Sequence, residues 1–329
     1  MDKDQAEMQN VGFFGLFKES IKTIFSWKKI FTQITLTFIL PLSFIYLAHI
    51  IIADILDLRI MLRENNSESR YYYHRRASSE WLGYWIFKFV YLTFLFLFSL
   101  LSTAAIVYTI ATIYTGGDVT YKKVLKVVPR VWKRLALTFL WIYLGFFIYN
   151  VVSGVVGVIW STTIADSTFG SIVFWVCFSL YCIGFVYLTA IWQLASVVTV
   201  LESDYGLKAM MKGHQLIKGK RWLSWFVFFV LYCVFAGILM LFYAFVWSYM
   251  FFSLIIGLVC LFLLMNMFLV GFVAQTMLYL VCKSHHHEPI DKLGLSTQLG
   301  SYLGEFEPVF KVNKDVELGK TQPHPQVQV

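Results

Sequence analysis

Three short stretches carry basic side chains at a recurring spacing. FKESIK (Phe17–Lys22), YKKVLK (Tyr121–Lys126) and LKAMMK (Leu207–Lys212) each read apolar-Lys-x-x-apolar-Lys. A basic pair follows each one: Lys28-Lys29, Lys133-Arg134 and Lys220-Arg221, with Trp27, Trp132 and Trp222 alongside. On a helix this spacing sets lysines on one face and apolar residues on the other. The chemistry on offer is non-covalent. An apolar face lies among acyl chains while lysines reach anionic headgroups, at about 1 kcal/mol per basic residue near the surface. Lys122, Lys126, Lys208, Lys212, Lys220 and Arg221 are the candidate contacts for anionic lipid or an acidic partner.

Reactive chemistry has less to stand on. No nucleophile elbow, phosphate loop or zinc-protease helix occurs, so the expectation is no enzyme, no catalytic residue and no cofactor. His285–His287 is one contiguous tract, and adjacent histidines at a helix end splay apart instead of converging on a metal; no metal site is expected. His49, His74 and His214 have no companion ligand at informative spacing. Four of the five cysteines (Cys177, Cys182, Cys233, Cys260) lie inside apolar runs, and Cys282 reads as a span-end residue. Four amides sit within apolar runs: Asn150, Gln193, Asn266 and Gln275. They either bridge neighbouring helices or line a polar path. Asp54 and Glu202 stand at span ends, and no span has a central carboxylate. That disfavours a proton- or sodium-coupled carrier.

The elements that must position these residues are membrane spans. Of 329 residues, 59% are hydrophobic and only 14% charged, with mean hydropathy +0.69, against roughly 25% charged in soluble domains. Six apolar runs reach the ~20 residues that cross a bilayer: Ile30–Ile52, Trp85–Tyr114, Leu135–Trp160, Ser171–Val200, Trp225–Trp247 and Phe251–Cys282. Pro41 predicts a kink in the first. The reading is an all-α, polytopic membrane protein: three repeats of an amphipathic interfacial helix plus two spans. Residues 1–29 form an N-terminal segment, 30–282 the membrane domain, and 283–329 a tail whose end is too polar to fold.

Charge sets the orientation. The net charge is +8. The connections after the second and fourth spans carry the lysines, while those after the third and fifth carry no Lys or Arg. The positive-inside rule puts both termini and the basic segments in the cytoplasm. The connection at about Ala53–Tyr84 opposes this with five arginines, offset in part by five acidic residues. It also holds Asn65-Asn66-Ser67, a sequon that makes Asn65 a candidate glycosylation site on the outer side. The basic excess fits membrane lipid; nothing matches a nucleic-acid recognition module.

The stretch ASVVTVLESDYGLKAMMKGHQLIKGKRW (Ala195–Trp222) resembles the membrane domain of the glycerophosphodiester phosphodiesterase membrane-domain superfamily. With VCKSHHHEPIDK and YLGEFEPV downstream, the chain looks closer still to a plant family of six-span proteins, some labelled polyadenylate-binding protein-binding protein. The resemblance implies an integral protein of the plasma membrane, endoplasmic reticulum or other endomembranes. It does not bring phosphodiesterase activity, because the chain has no room for the separate catalytic barrel. The expected role is a scaffold or lipid-interacting protein, partnered by anionic lipids and by a protein at its cytoplasmic face or tail. The alternative is a transporter or channel for a small solute.

Overall fold

A computed structural model describes residues 12–65, 70–163, 167–246, 253–286 and, singly, Thr297, Gly300 and Tyr302, with residues 60–82, 246 and 253 described by their backbone alone. The described residues are helical throughout, apart from short turns. The order is α1 (Phe13–Ser26), α2 (Lys28–Ile34), a π-helical segment (Thr35–Ile39), α3 (Leu40–Asn65), α4 (Arg70–Tyr114), α5 (Tyr121–Thr163), α6 (Thr168–Leu201), α7 (Leu207–Ile217), α8 (Arg221–Val246) and α9 (Ser253–His285). Six stretches are long and apolar enough to span a membrane: Lys28–Arg59, Gly83–Tyr114, Tyr121–Thr163, Thr168–Leu201, Arg221–Phe245 and Leu254–His285. The chain is an all-α, six-span membrane protein.

The disturbance expected at Pro41 is taken up one turn earlier. Proline lacks an N–H and its ring presses on the carbonyl four residues back, which is Thr37. The helix widens to π pitch over Thr35–Ile39, a known way to relieve such a defect. Thr37 Oγ1 shares a hydrogen bond with Tyr121 Oη at 2.7 Å and donates to Gln33 O at 2.8 Å. The wide turn thus ties the start of the first span to the start of the third.

The polar connection expected at Ala53–Tyr84 is instead mostly helix, continuing α3 to Asn65 and restarting α4 at Arg70. No Gly or Pro occurs from Ala53 to Leu82 to stop it. The sequon side chains at Asn65–Ser67 lie outside the described residues.

The three amphipathic segments are not built alike. α1 and α7 are separate helices, ended at Trp27 and Lys218. The middle one is the first third of α5, which runs unbroken through Pro129 into the third span. Its apolar face, Val124, Val127, Val128, Val131 and Leu135, is buried in protein.

The core lies toward one end of the bundle. Ala104–Tyr114, Val124–Leu135, Ala190–Leu201 and Val273–Cys282 supply most of the buried positions. The starts of the third and fifth spans and the ends of the second, fourth and sixth meet there. This is also where the basic segments lie. At the opposite end, Val151–Ile159 and Phe169–Ile183 are largely exposed apolar residues, an outward face suited to acyl chains. The sixth span touches α1, α7 and the first, second, fourth and fifth spans; it is the central post.

Candidate functional site

The basic end is organised by Glu202, the residue that closes α6. Its carboxylate faces two lysines from different elements. Lys212 Nζ on α7 is 2.5 Å from Oε2, and Lys283 Nζ on α9 is 2.7 Å from Oε1. Tyr279 Oη, one turn before Lys283, also donates to Oε1 at 2.5 Å. The Glu202 side chain is only 12% exposed. Burial by itself would raise its carboxyl. Hydrogen bonds from Lys212, Lys283 and Tyr279 outweigh that and hold the acid below its ordinary value. The carboxylate thus ties the end of α6 to α7 and α9 as a latch.

Arg134 latches the same corner from the third span. Its guanidinium donates to Glu202 O at 2.9 Å, to Ser203 O at 2.5 Å and to Tyr302 Oη at 3.1 Å. Those carbonyls lie past the last helical turn of α6, where backbone acceptors have no partner within the helix. Arg130 donates to Tyr302 O, and Tyr302 Oη donates to Val200 O at 3.4 Å. Tyr302 is thereby pinned onto α5 and α6. One turn deeper, Thr138 Oγ1 sits 2.9 Å from Thr199 Oγ1 and accepts from Gly206 N at 2.8 Å. Gly206 enters α7 at φ +64°, ψ −135°, a conformation open essentially to glycine alone. At Gly213 a Cβ would stand 3.0 Å from Ile191 O and 3.2 Å from Ala195 N. Glycine there lets α7 lie directly on the fourth span.

Ala209, Gly213, Leu216 and Ile217 of α7 are therefore covered by protein. The expectation that this face rests among acyl chains is corrected: the apolar face docks α7 on α6. Lys212 is likewise drawn into the Glu202 latch, and Lys220 is half-buried and engaged within the chain. Lys122, Lys126, Lys208 and Arg221 are exposed and have no hydrogen-bond or ion-pair partner among the described residues. Trp27, Trp132 and Trp222 are exposed beside them, Trp222 at 84%.

The remaining sequence candidates separate cleanly. Asn150 bridges helices: its Oδ1 accepts from Tyr181 Oη at 3.1 Å, while Nδ2 donates to Phe146 O at 2.8 Å. Asn266 Nδ2 donates to Phe262 O of its own helix at 2.8 Å. Gln193 and Gln275 face one cavity. The histidines after the last span serve packing. His286 Nε2 lies 3.1 Å from Leu216 O, and a Cβ on Gly219 would collide with the His285 ring at 2.5 Å; His287 lies outside the described residues. Cys282 is fully buried beside Ser224 Oγ at 4.0 Å. Among the described residues, no three His, Cys, Asp or Glu side chains converge to hold a metal ion.

A family model described as a domain of unknown function, DUF8558, matches residues 1–321. The chain belongs to that family. No curated protein and no solved structure matches it. The match covers all six spans, Glu202 and Tyr302.

Proposed function

We propose that this six-span protein is a non-enzymatic, lipid-interacting membrane protein whose cytoplasmic collar holds anionic headgroups. One observation carries the reading. Lys122, Lys126, Lys208 and Arg221 project outward at the end where Trp27, Trp132 and Trp222 are also exposed. Exposed tryptophan beside exposed cations is the pattern of a membrane interface. Phe14 and Phe25 on α1, 84% and 70% exposed, extend the apolar rim. Of the six basic residues first considered, Lys212 serves the latch, and Lys220 is partly withdrawn. Four contacts at about 1 kcal/mol each would raise retention of an anionic lipid by two to three orders of magnitude. A protein partner with an acidic surface would meet the same collar, and plasma membrane or endomembranes would both supply the lipid.

The test is native mass spectrometry of the full chain extracted from its own membrane. Stoichiometric anionic lipid is expected, and it should be lost when Lys122, Lys126, Lys208 and Arg221 are replaced by Gln. Unchanged retention in that folded variant would sink the reading. A second reading, a transporter or channel for a small solute, rests on Gln193 and Gln275, because Asn150 and Asn266 are committed to helix hydrogen bonds. Liposome flux abolished by replacing those two glutamines would favour it.

A further inference from the structure

A cavity of about 260 Å³ lies between the first, second, fourth, fifth and sixth spans. Its walls are mostly apolar, with Phe235, Phe268 and Phe272 among them. Its polar lining comes from Ser99, Thr189, Gln193, Tyr232 and Gln275, together with Tyr46. Gln275 is 1% exposed, and its Nε2 has no hydrogen-bond partner. A stranded amide donor in an apolar interior is costly, and each such group calls for an explanation. Gln193 reaches the same space from the fourth span, and its side chain also has no partner among the described residues. Tyr232 Oη donates to Thr189 Oγ1 at 3.2 Å, which spends its proton and leaves its oxygen free to accept.

Depth sharpens the picture. Gln193 precedes Glu202 by nine residues and Gln275 precedes Lys283 by eight. At 1.5 Å per residue both sit roughly 12–14 Å below the latch, near the middle of a ~30 Å hydrocarbon layer. No Asp, Glu, Lys, Arg or His lines the cavity. A phosphate, carboxylate or ammonium group would enter without a counter-ion and pay the full cost of desolvation. A hydroxyl fits: it accepts from the Gln275 amide and donates to Tyr232 or Gln193. It also answers either orientation of an amide whose oxygen and nitrogen are assigned from hydrogen bonding.

We propose that this half-open cavity is a binding site for the head of a neutral amphiphilic alcohol, with its hydroxyl on Gln275 and Gln193, the adjoining part of its apolar body among the phenylalanines and the rest extending out through the open side. The site is independent of the basic collar. Two kinds of molecule share this chemistry, long-chain monoacylglycerols and sterols. The test takes the full chain in lipid nanodiscs with a photoreactive monoacylglycerol and, separately, a photoreactive sterol, and maps the labelled residues. One of the two should label this cavity, and which one does so identifies the source. The unlabelled alcohol should compete at least tenfold better than its methyl ether, as expected where a buried polar group needs its partner. Gln275→Leu and Gln193→Leu should each cut labelling about tenfold. Absence of label from the cavity, equal competition by the ether, or equal labelling by a fatty acid ionised at neutral pH would overturn the proposal. The alcohol-against-ether comparison uses the unmodified chain and stands even if a leucine variant does not fold.

Discussion

Glu202→Gln removes one charge and keeps the shape, so it isolates what the latch contributes. The carboxylate takes three short hydrogen bonds, from Lys212, Lys283 and Tyr279. Charge-assisted bonds are worth about 1.5–3 kcal/mol each, but water reaches the Lys212 side chain, 28% exposed. Exposed pairs give about 0.2–1 kcal/mol, and breaking a buried pair costs about 3–5. The latch lies between, and glutamine keeps one neutral acceptor, so the expected loss is about 2 kcal/mol. At roughly 2–4 °C per kcal/mol for a large domain, the midpoint of detergent-solubilised protein should fall by about 4–8 °C. The sharper readout is coupling. Once the carboxylate is neutral, Lys212 and Lys283 are two cations facing one amide, so adding Lys212→Met should cost little further. The double variant should fall short of additivity by about 1 kcal/mol. Full additivity, or a shift under about 1 °C for Glu202→Gln alone, would refute the latch.

Acid should open the same latch. Because the folded carboxyl sits below its ordinary value, its stabilisation is complete above the unfolded value of about 4.3 and is lost as pH falls through the folded one; Glu202→Gln should remove that part of the acid sensitivity in melts between about pH 6 and 3. Gly206→Ala forces a Cβ into a glycine-only conformation, and a loss of about 1–3 kcal/mol is expected, read as a lower melting point. Gly213→Leu should pry α7 off the fourth span, since the new side chain begins against backbone atoms. A cysteine pair placed across α6 and α7 would then crosslink less efficiently. Arg134→Lys keeps the charge but loses the fork that serves Glu202 O, Ser203 O and Tyr302 at once, so limited proteolysis should release the tail earlier.

Hydropathy made the spans readable because lipid leaves the backbone no alternative to a helix, and all six stand where the apolar runs lie. Charge spacing found the basic segments but misjudged where the apolar faces of α7 and the start of α5 go. An amphipathic pattern reports that a face is buried, without saying whether lipid or protein covers it. For α7 the clue was Gly213, a residue that acyl chains do not require but a neighbouring backbone at 3.0 Å does. The latch was out of reach for a different reason. Glu202 was visible as a span-end acid, yet Lys283 lies 81 residues further on, and Tyr302 lies 168 beyond Arg134. No local period links such pairs.

The four intramembrane amides look alike in the sequence, and counting rise along the helices sorts them. Asn150 is sixteen residues past Arg134, and Asn266 is seventeen before Lys283, so both lie roughly 24–26 Å from the basic end. There Asn266 bonds its own helix, and Asn150 bonds its own helix and one neighbour. Gln193 and Gln275 lie at half that depth, where the spans enclose a cavity. The same side-chain chemistry therefore meets two fates. Far from the basic end the amides bond Tyr181, Phe146 and Phe262. Beside the cavity Gln275 is left with an unpaired donor. An unpaired donor in the best-packed half weakens the fold, and a hydroxyl bound there would offset that. Gln275→Leu should accordingly raise the melting point of ligand-free protein while abolishing any stabilisation by added alcohol. A variant that melts lower in both conditions would show that Gln275 serves packing alone.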